Sequence, residues 1–77
     1  MAKTSGVSAL PTVRELRERT GMLATELAKE ANVSIVTLYR IENGVQVGRP
    51  YLYRVLNVLS RKLGREITPE DIEQPEK

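Results

Sequence analysis

Apolar residues recur at three- and four-residue steps along most of the chain, which is the spacing that gives a helix one apolar face. Polar residues that favour caps and turns separate these stretches. The pattern predicts helices over about residues 13–20, 24–31, 35–43 and 51–63, and a short final helix that starts at Thr68. We therefore expect an all-α fold with five helices.

Local signals mark where several of these helices begin. Thr12 and Glu15 have the spacing of a capping box, in which each side chain accepts a hydrogen bond from the backbone of the other residue. Asn32 is expected to form the turn between the second and third helices, because asparagine tolerates a positive φ. Ser34 is expected to cap the third helix, and Thr68 the last one.

The pattern leaves two points open. Leu23 stands where a side chain would cap the second helix, but leucine has no atom that accepts a hydrogen bond. The alternative is that Thr25 caps a shortened helix. On the fourth helix, Val58 and Tyr51 lie toward a second side and are candidates for a self-association surface.

The inward-facing positions predict an aliphatic core, because the 77-residue chain contains no Phe and no Trp. A chain of this length buries only about 60 % of the surface that its unfolded form exposes, so it forms one domain around one small core. Ile67 and Ile72 are expected to fasten the last helix to that core. The other expected core positions are Val13, Leu16, Leu27, Ala28, Ala31, Val33, Leu38, Ile41, Leu52, Val55, Leu56, Leu59 and Leu63.

The stretch from Gly21 to Gly44 predicts two short helices joined by a tight turn. This is the layout of a helix-turn-helix, at about residues 23–43, whose second helix fits the major groove of DNA. The outer side of that second helix is expected to carry Ile35, Val36, Tyr39, Arg40 and Asn43.

Composition excludes most catalytic chemistry. The chain has no Cys and no His, which removes disulfides, thiolate chemistry and almost all zinc, haem and iron–sulfur sites. Glu70, Asp71 and Glu73 are close together but lack the spacing of a calcium loop. We expect no enzyme activity, no metal and no cofactor. With no apolar run long enough for a membrane span and no signal peptide, we expect a cytoplasmic protein.

Charge is unevenly distributed along the chain. Residues 1–65 carry eleven basic and five acidic side chains, whereas residues 66–77 carry one basic and five acidic side chains. The segment 45–65 has five basic residues and no acidic residue. A basic body suits a polyanion such as DNA, although charge alone is explained more simply as a solvated surface.

Taken together, these residues closely resemble the Cro/C1-type helix-turn-helix domains of phage repressors and bacterial regulators, also called the XRE family. The resemblance covers about residues 12–72. The matching residues are Leu16-Arg17-Glu18, Gly21, Glu26-Leu27-Ala28, Val33-Ser34, Thr37-Leu38, Arg40-Ile41-Glu42-Asn43-Gly44, Pro50, Leu52 and Leu56.

The resemblance implies a compact five-helix, lambda-repressor-like domain that binds double-stranded DNA as a homodimer, with the third helix (about 35–43) in the major groove. Arg17 and Glu42 match a pair that forms a salt bridge between the first and third helices. By position, Ser34, Ile35, Val36 and Tyr39 would face base edges or flanking phosphates, Arg40 would sit at the groove margin, and Asn43 and Arg49 would meet the backbone.

The chain departs from this family at residues that read DNA. Many members have a polar residue followed by Gln where this chain has Leu23-Ala24, so a cap and a phosphate contact are missing. Ile35 and Val36 are apolar where polar residues are frequent. They are expected to pack on thymine methyl groups and favour A·T pairs, or alternatively to contact a protein.

Three segments are expected: a flexible N-terminal arm at 1–11, the helix-turn-helix domain at 12–73 and a frayed acidic tail at 74–77. The expected function is a bacterial or phage-encoded transcriptional regulator of the repressor type, with no region for a small-molecule ligand. The alternative is an adaptor or antitoxin-like module on the same fold, in which Ile35, Val36, Val45 and Val47 meet a protein partner.

Overall fold

The computed structural model describes residues 10–73. Within this range the chain forms α1 (Val13–Thr20), α2 (Ala24–Ala31), α3 (Ile35–Glu42), α4 (Arg49–Leu63) and one 3₁₀ turn (Pro69–Asp71). The all-α class is confirmed. The predicted count of five helices is wrong, because the last predicted helix is only a 3₁₀ turn. The backbone becomes extended again at Ile72.

Two of the predicted helix boundaries depend on local hydrogen bonds that the structure contains. The Glu15 N–H donates to the Thr12 hydroxyl at 3.1 Å, and the Thr12 N–H donates to the Glu15 carboxylate at 2.9 Å. Asn32 has φ 59° and ψ 45°, the left-handed conformation that ends α2. The capping box and the turn residue are therefore confirmed.

The start of α2 follows the first of the two alternatives left open by the sequence. Leu23 occupies the capping position without a capping side chain, and the helix begins at Ala24, so Thr25 does not cap a shortened helix. The Leu23 N–H donates instead to the Glu26 carboxylate at 2.9 Å. A carboxylate in the first turn thus performs half of a capping box.

The core lies between α4 and the packed faces of the first three helices, and it is aliphatic as expected. Leu52, Leu63 and Val33 are half-buried and pack against its edge. Val58 is buried, at 2 % exposure. Its assignment to a self-association surface is therefore wrong, because α4 packs against both α1 and α2 and is covered on more than one side.

The segment after α4 is fastened to the core through Ser60. The Ser60 hydroxyl donates to the Leu56 carbonyl at 2.7 Å and accepts from the Ile67 N–H at 2.9 Å. Ile67 is buried, as expected. The hydroxyl therefore links the last turns of α4 to the chain that returns beside it.

The described chain closes on itself next to the start of α1. Ile72 is buried, as expected, and the Glu73 N–H donates to the Pro11 carbonyl at 2.9 Å. The segment around residue 72 consequently covers the end of the core near Val13.

Thr68 occupies the predicted capping position at the start of the 3₁₀ turn. The Thr68 hydroxyl donates to the Asp71 carboxylate at 3.0 Å, and the Thr68 N–H donates to the same carboxylate at 2.9 Å. These hydrogen bonds, from the backbone first and the hydroxyl second, hold the pKa of Asp71 below its ordinary value. The Asp71 carboxylate therefore satisfies the Thr68 N–H, which is one half of a capping box.

The predicted tail (74–77) and all but the last residues of the predicted arm (1–11) lie outside the described residues. Among residues 10–73, no helix has both the length and the apolar character needed to cross a membrane.

Candidate nucleic-acid interface

The two helices of the predicted motif are joined by a tight turn that residues 32–34 form. The Val33 N–H donates to the Ala28 carbonyl at 3.0 Å, and the Asn32 N–H donates to the Lys29 carbonyl at 3.1 Å. Ser34 returns to an extended backbone conformation and starts α3. A positive φ at one residue therefore reverses the chain and sets α3 against α2.

The first turn of α3 is closed by two hydroxyl groups. The Ser34 hydroxyl accepts from the Thr37 N–H at 3.0 Å and donates to the Thr37 hydroxyl at 2.9 Å. The predicted cap by Ser34 is confirmed. Its oxygen satisfies one of the N–H groups that every helix leaves free at its N-terminus.

One side of α3 is buried and the other is open. Leu38 and Ile41 belong to the core, whereas Val36, Tyr39 and Arg40 are exposed at spacings of three and four residues. Val36 is 54 % exposed. The helix therefore presents one apolar, one aromatic and one cationic side chain along a single solvent-facing stripe.

Ile35 differs from the expected arrangement. Its side chain is half-buried and packs against the core, so it does not lie fully on the outer side of α3. The first position of a helix lies close to the preceding turn, and here that turn brings Ile35 toward the apolar interior. Ile35 therefore helps to pack α3 against the core and is only partly available to a ligand.

The remaining predicted site residues lie at the C-terminal end of α3 and beyond it. Asn43 caps α3 and, like Arg49 at the start of α4, is exposed. Both residues line one groove of about 510 Å³ beside the connecting loop. The structure thus brings Asn43 and Arg49 together, and leaves Ser34 at the opposite end of α3.

The orientation of α3 is fixed by a buried ion pair. Glu42, whose side chain is 1 % exposed, accepts from Arg17 Nε at 2.6 Å and from Arg17 Nη2 at 3.2 Å. Arg17 Nη1 donates in addition to the Met22 carbonyl at 3.1 Å. The predicted pair is present, and it joins α1, the start of the motif and the end of α3.

Electrostatics at this pair favour the charged form of Arg17. The hydrogen bond to Glu42 raises the pKa of Arg17 above its ordinary value, against the opposing effect of burial. Arg14 Nε lies 3.8 Å from the same carboxylate. Arg14 was not among the predicted site residues, although its position one turn before Arg17 places both arginines on one face of α1.

Arg54 on α4 is a second residue that was not predicted to belong to the site. Its Nη1 donates to the Asn32 carbonyl at 3.3 Å, and its guanidinium carbon lies 5.7 Å from the centroid of the Tyr51 ring. The three-residue spacing of Tyr51 and Arg54 was the available signal. Arg54 therefore supports the motif turn from α4.

Metal chemistry is not supported by the described residues. Among residues 10–73 no group of three His, Cys, Asp or Glu side chains is arranged to hold a metal ion. Each buried side-chain nitrogen or oxygen in that range has a hydrogen-bond partner. The buried polar side chains of this range are therefore already paired.

Comparison with known proteins agrees with this geometry. No curated protein and no solved structure shows a significant match to the chain. A family model described as "Helix-turn-helix domain" matches residues 12–73, and domains of this family are DNA-binding regulators that are typically non-enzymatic. Because the match covers most of the chain, the protein belongs to this family of XRE/Cro-like helix-turn-helix domains.

Proposed function

We propose that the protein is a sequence-specific, double-stranded DNA-binding regulator of transcription that inserts α3 into the major groove. The observation that carries this proposal is the open stripe of Val36, Tyr39 and Arg40 on a helix whose other side is buried. The major groove of B-DNA admits an α-helix, and base edges there offer donors, acceptors and methyl groups. The action would be repressor-like, with the bound protein blocking access to its site.

Both ends of α3 offer partners for the DNA backbone. Ser34 stands at the N-terminus of the helix, where the helix dipole favours a phosphate. Asn43 and Arg49 stand beyond its C-terminus, on the shared groove. A helix lying in the groove has phosphates on either side, so these two ends would fix its register while the stripe faces the bases.

Tyr39 and Arg40 supply hydrogen-bonding groups at the middle of the helix. The Tyr39 hydroxyl and the Arg40 guanidinium are suited to base edges or to nearby phosphates. Both side chains are exposed.

We propose further that the protein acts as a homodimer on a two-fold related site. An eight-residue helix such as α3 is about 12 Å long, which corresponds to about four base pairs of groove. So short a sequence recurs too often in a genome to be distinctive. A second copy on a neighbouring half-site would double the length that is read.

Salt-titrated DNA binding tests the proposal. Random duplexes are selected for binding, and the affinity of the best duplex is measured by anisotropy at several salt concentrations, together with the protein-to-duplex ratio. We expect a steep loss of affinity with salt and two copies per duplex. Arg49→Ala is expected to weaken binding to all sequences and to flatten the salt dependence by about one unit.

Arg61→Ala is the matched control, since Arg61 is also exposed on α4 but lies three turns further along that helix. We expect it to leave the salt dependence unchanged. If no duplex binds in a salt-dependent manner, the proposed function is wrong. Equal effects of the two substitutions would remove the backbone contact assigned to Arg49.

A second candidate is a protein-interaction adaptor or antitoxin-like module with weak DNA binding. The observation that favours it is the groove of about 510 Å³, which Val45 and Val47 line and at which Val45 is half exposed. Val36 would add to an apolar partner surface, and Ile35 less so, because it is half-buried. An adaptor would show little DNA binding at physiological salt, so the same titration separates the two functions.

A further inference from the structure

The start of α3 combines an exposed apolar side chain with polar neighbours that are already engaged. The Ser34 hydroxyl accepts from the Thr37 N–H and donates to the Thr37 hydroxyl. Ile35 is half-buried against the core. Val36 is 54 % exposed and has neither a donor nor an acceptor, so it offers a ligand only its methyl groups.

The start of α2 has the same character. Leu23, in its capping position, is 64 % exposed and makes no capping hydrogen bond through its side chain. Polar side chains at such positions would be expected to hydrogen-bond base edges or phosphates. In this protein the beginnings of both motif helices instead present methyl groups to solvent.

Base pairs offer one apolar group in the major groove, the C5-methyl group of thymine. A cytosine methylated at C5 carries the same group at the same ring position. We infer that Val36 is a specificity-determining residue that reads a pyrimidine C5-methyl group, in thymine or in 5-methylcytosine, beneath the first turn of α3. This inference rests on the proposed function, and it narrows the pair Ile35 and Val36 to one residue.

Val36 is the only apolar member of the stripe, so the stripe reads a methyl group at one base pair of each half-site. Tyr39 and Arg40 follow Val36 by three and four residues, which places them about 5 Å further along the helix. Their side chains are polar at the tip and suit donors and acceptors of the neighbouring pairs. The half-site would consequently contain one methyl-dependent position followed by positions read by hydrogen bonds.

Exchange of thymine for uracil tests the inference, because it removes the methyl group and leaves the hydrogen-bonding pattern unchanged. Each thymine of the best selected duplex is replaced singly by uracil. We expect one position in each half-site at which the affinity falls about three- to tenfold, as expected for loss of one buried methyl contact. A cytosine at that position should regain a similar factor when it is methylated at C5.

Val36→Ser identifies the residue responsible, because serine lacks both methyl groups of valine. In this variant the affinities for thymine and uracil at that position should become equal. Leu10→Ser is the matched control, since Leu10 is similarly exposed, at 45 %, but precedes α1. It should retain the preference for thymine. Thermal unfolding of both variants verifies that they fold.

The outcomes separate the inference from the function beneath it. If Val36→Ser discriminates thymine from uracil as well as the unsubstituted protein does, the inference is overturned. It is also overturned if the unsubstituted protein binds its duplex with salt dependence but tolerates uracil at every position. If no duplex is bound, the proposed function fails and the inference fails with it.

Discussion

At the scale of single residues, the Glu42 carboxylate is the group with the most constrained surroundings. It is almost completely removed from water and is held by two nitrogen atoms of Arg17, with Arg14 nearby. Burying such a pair contributes little net stability, because desolvation opposes the attraction. Its main effect is geometric, since it fixes the end of α3 to α1.

Glu42→Gln should destabilise the protein strongly, because it leaves the charge of Arg17 without its partner. We expect a loss of about 3 kcal/mol in the free energy of unfolding, measured with urea. The double variant Arg17→Met with Glu42→Leu should recover most of this loss, since neither charge remains. A double variant that loses as much as Glu42→Gln alone would show that the pair itself supplies the stability.

At the scale of elements, the N-termini of the two motif helices are stabilised by different hydrogen bonds. Ser34 caps α3 with its own hydroxyl, whereas α2 lacks a capping side chain and depends on Glu26, which accepts from the Leu23 N–H. One or more N–H groups in the first turn of α2 thus lack the side-chain partner that a polar residue at position 23 would provide. The start of α2 is the less stabilised of the two.

Leu23→Ser should stabilise the protein, because serine adds the missing capping oxygen and the leucine side chain is mostly exposed. We expect a gain of about 0.5–1 kcal/mol, seen as a rise of a few degrees in the thermal midpoint. Leu23→Ala is the control, since it removes the same apolar surface without adding a cap. Equal midpoints for the two variants would contradict the capping argument.

At the scale of the whole molecule, the described residues share a small core that is closed where the segment around residue 72 meets the start of α1. Ile72 fills the end of the core near α1, and the backbone of Glu73 is bonded to Pro11. A domain of this size has a total stability of only several kcal/mol. One well-buried side chain in the closing segment therefore matters to the whole fold.

Ile72→Ala should lower the stability of all helices together, because it opens a cavity in the single core. We expect a loss of about 2–4 kcal/mol, which corresponds to a fall of about 10 °C or more in the midpoint followed by circular dichroism. Glu70→Ala, at an exposed position in the same segment, should leave the midpoint nearly unchanged. A fall confined to the final turn, with α1–α4 unaffected, would contradict the role given to Ile72.

The helix boundaries could be predicted because their signals are local. The Thr12–Glu15 box and the turn at Asn32 are determined by neighbouring residues, and both are present. Burial at Val58 and Ile35 was harder to predict, because it depends on which other elements cover a helix, and periodicity reports only one face. The pairing of Arg17 with Glu42 came from the family resemblance. The DNA contacts assigned to individual residues remain predictions.

The aliphatic core has a spectroscopic consequence. All three tyrosines lie on the outside, at Tyr39, Tyr51 and Tyr53, and the chain has no tryptophan. Replacing Tyr51 and Tyr53 by phenylalanine would leave Tyr39 as the single fluorophore, situated in the middle of α3. Its emission would then report the occupancy of that helix directly, without an attached dye.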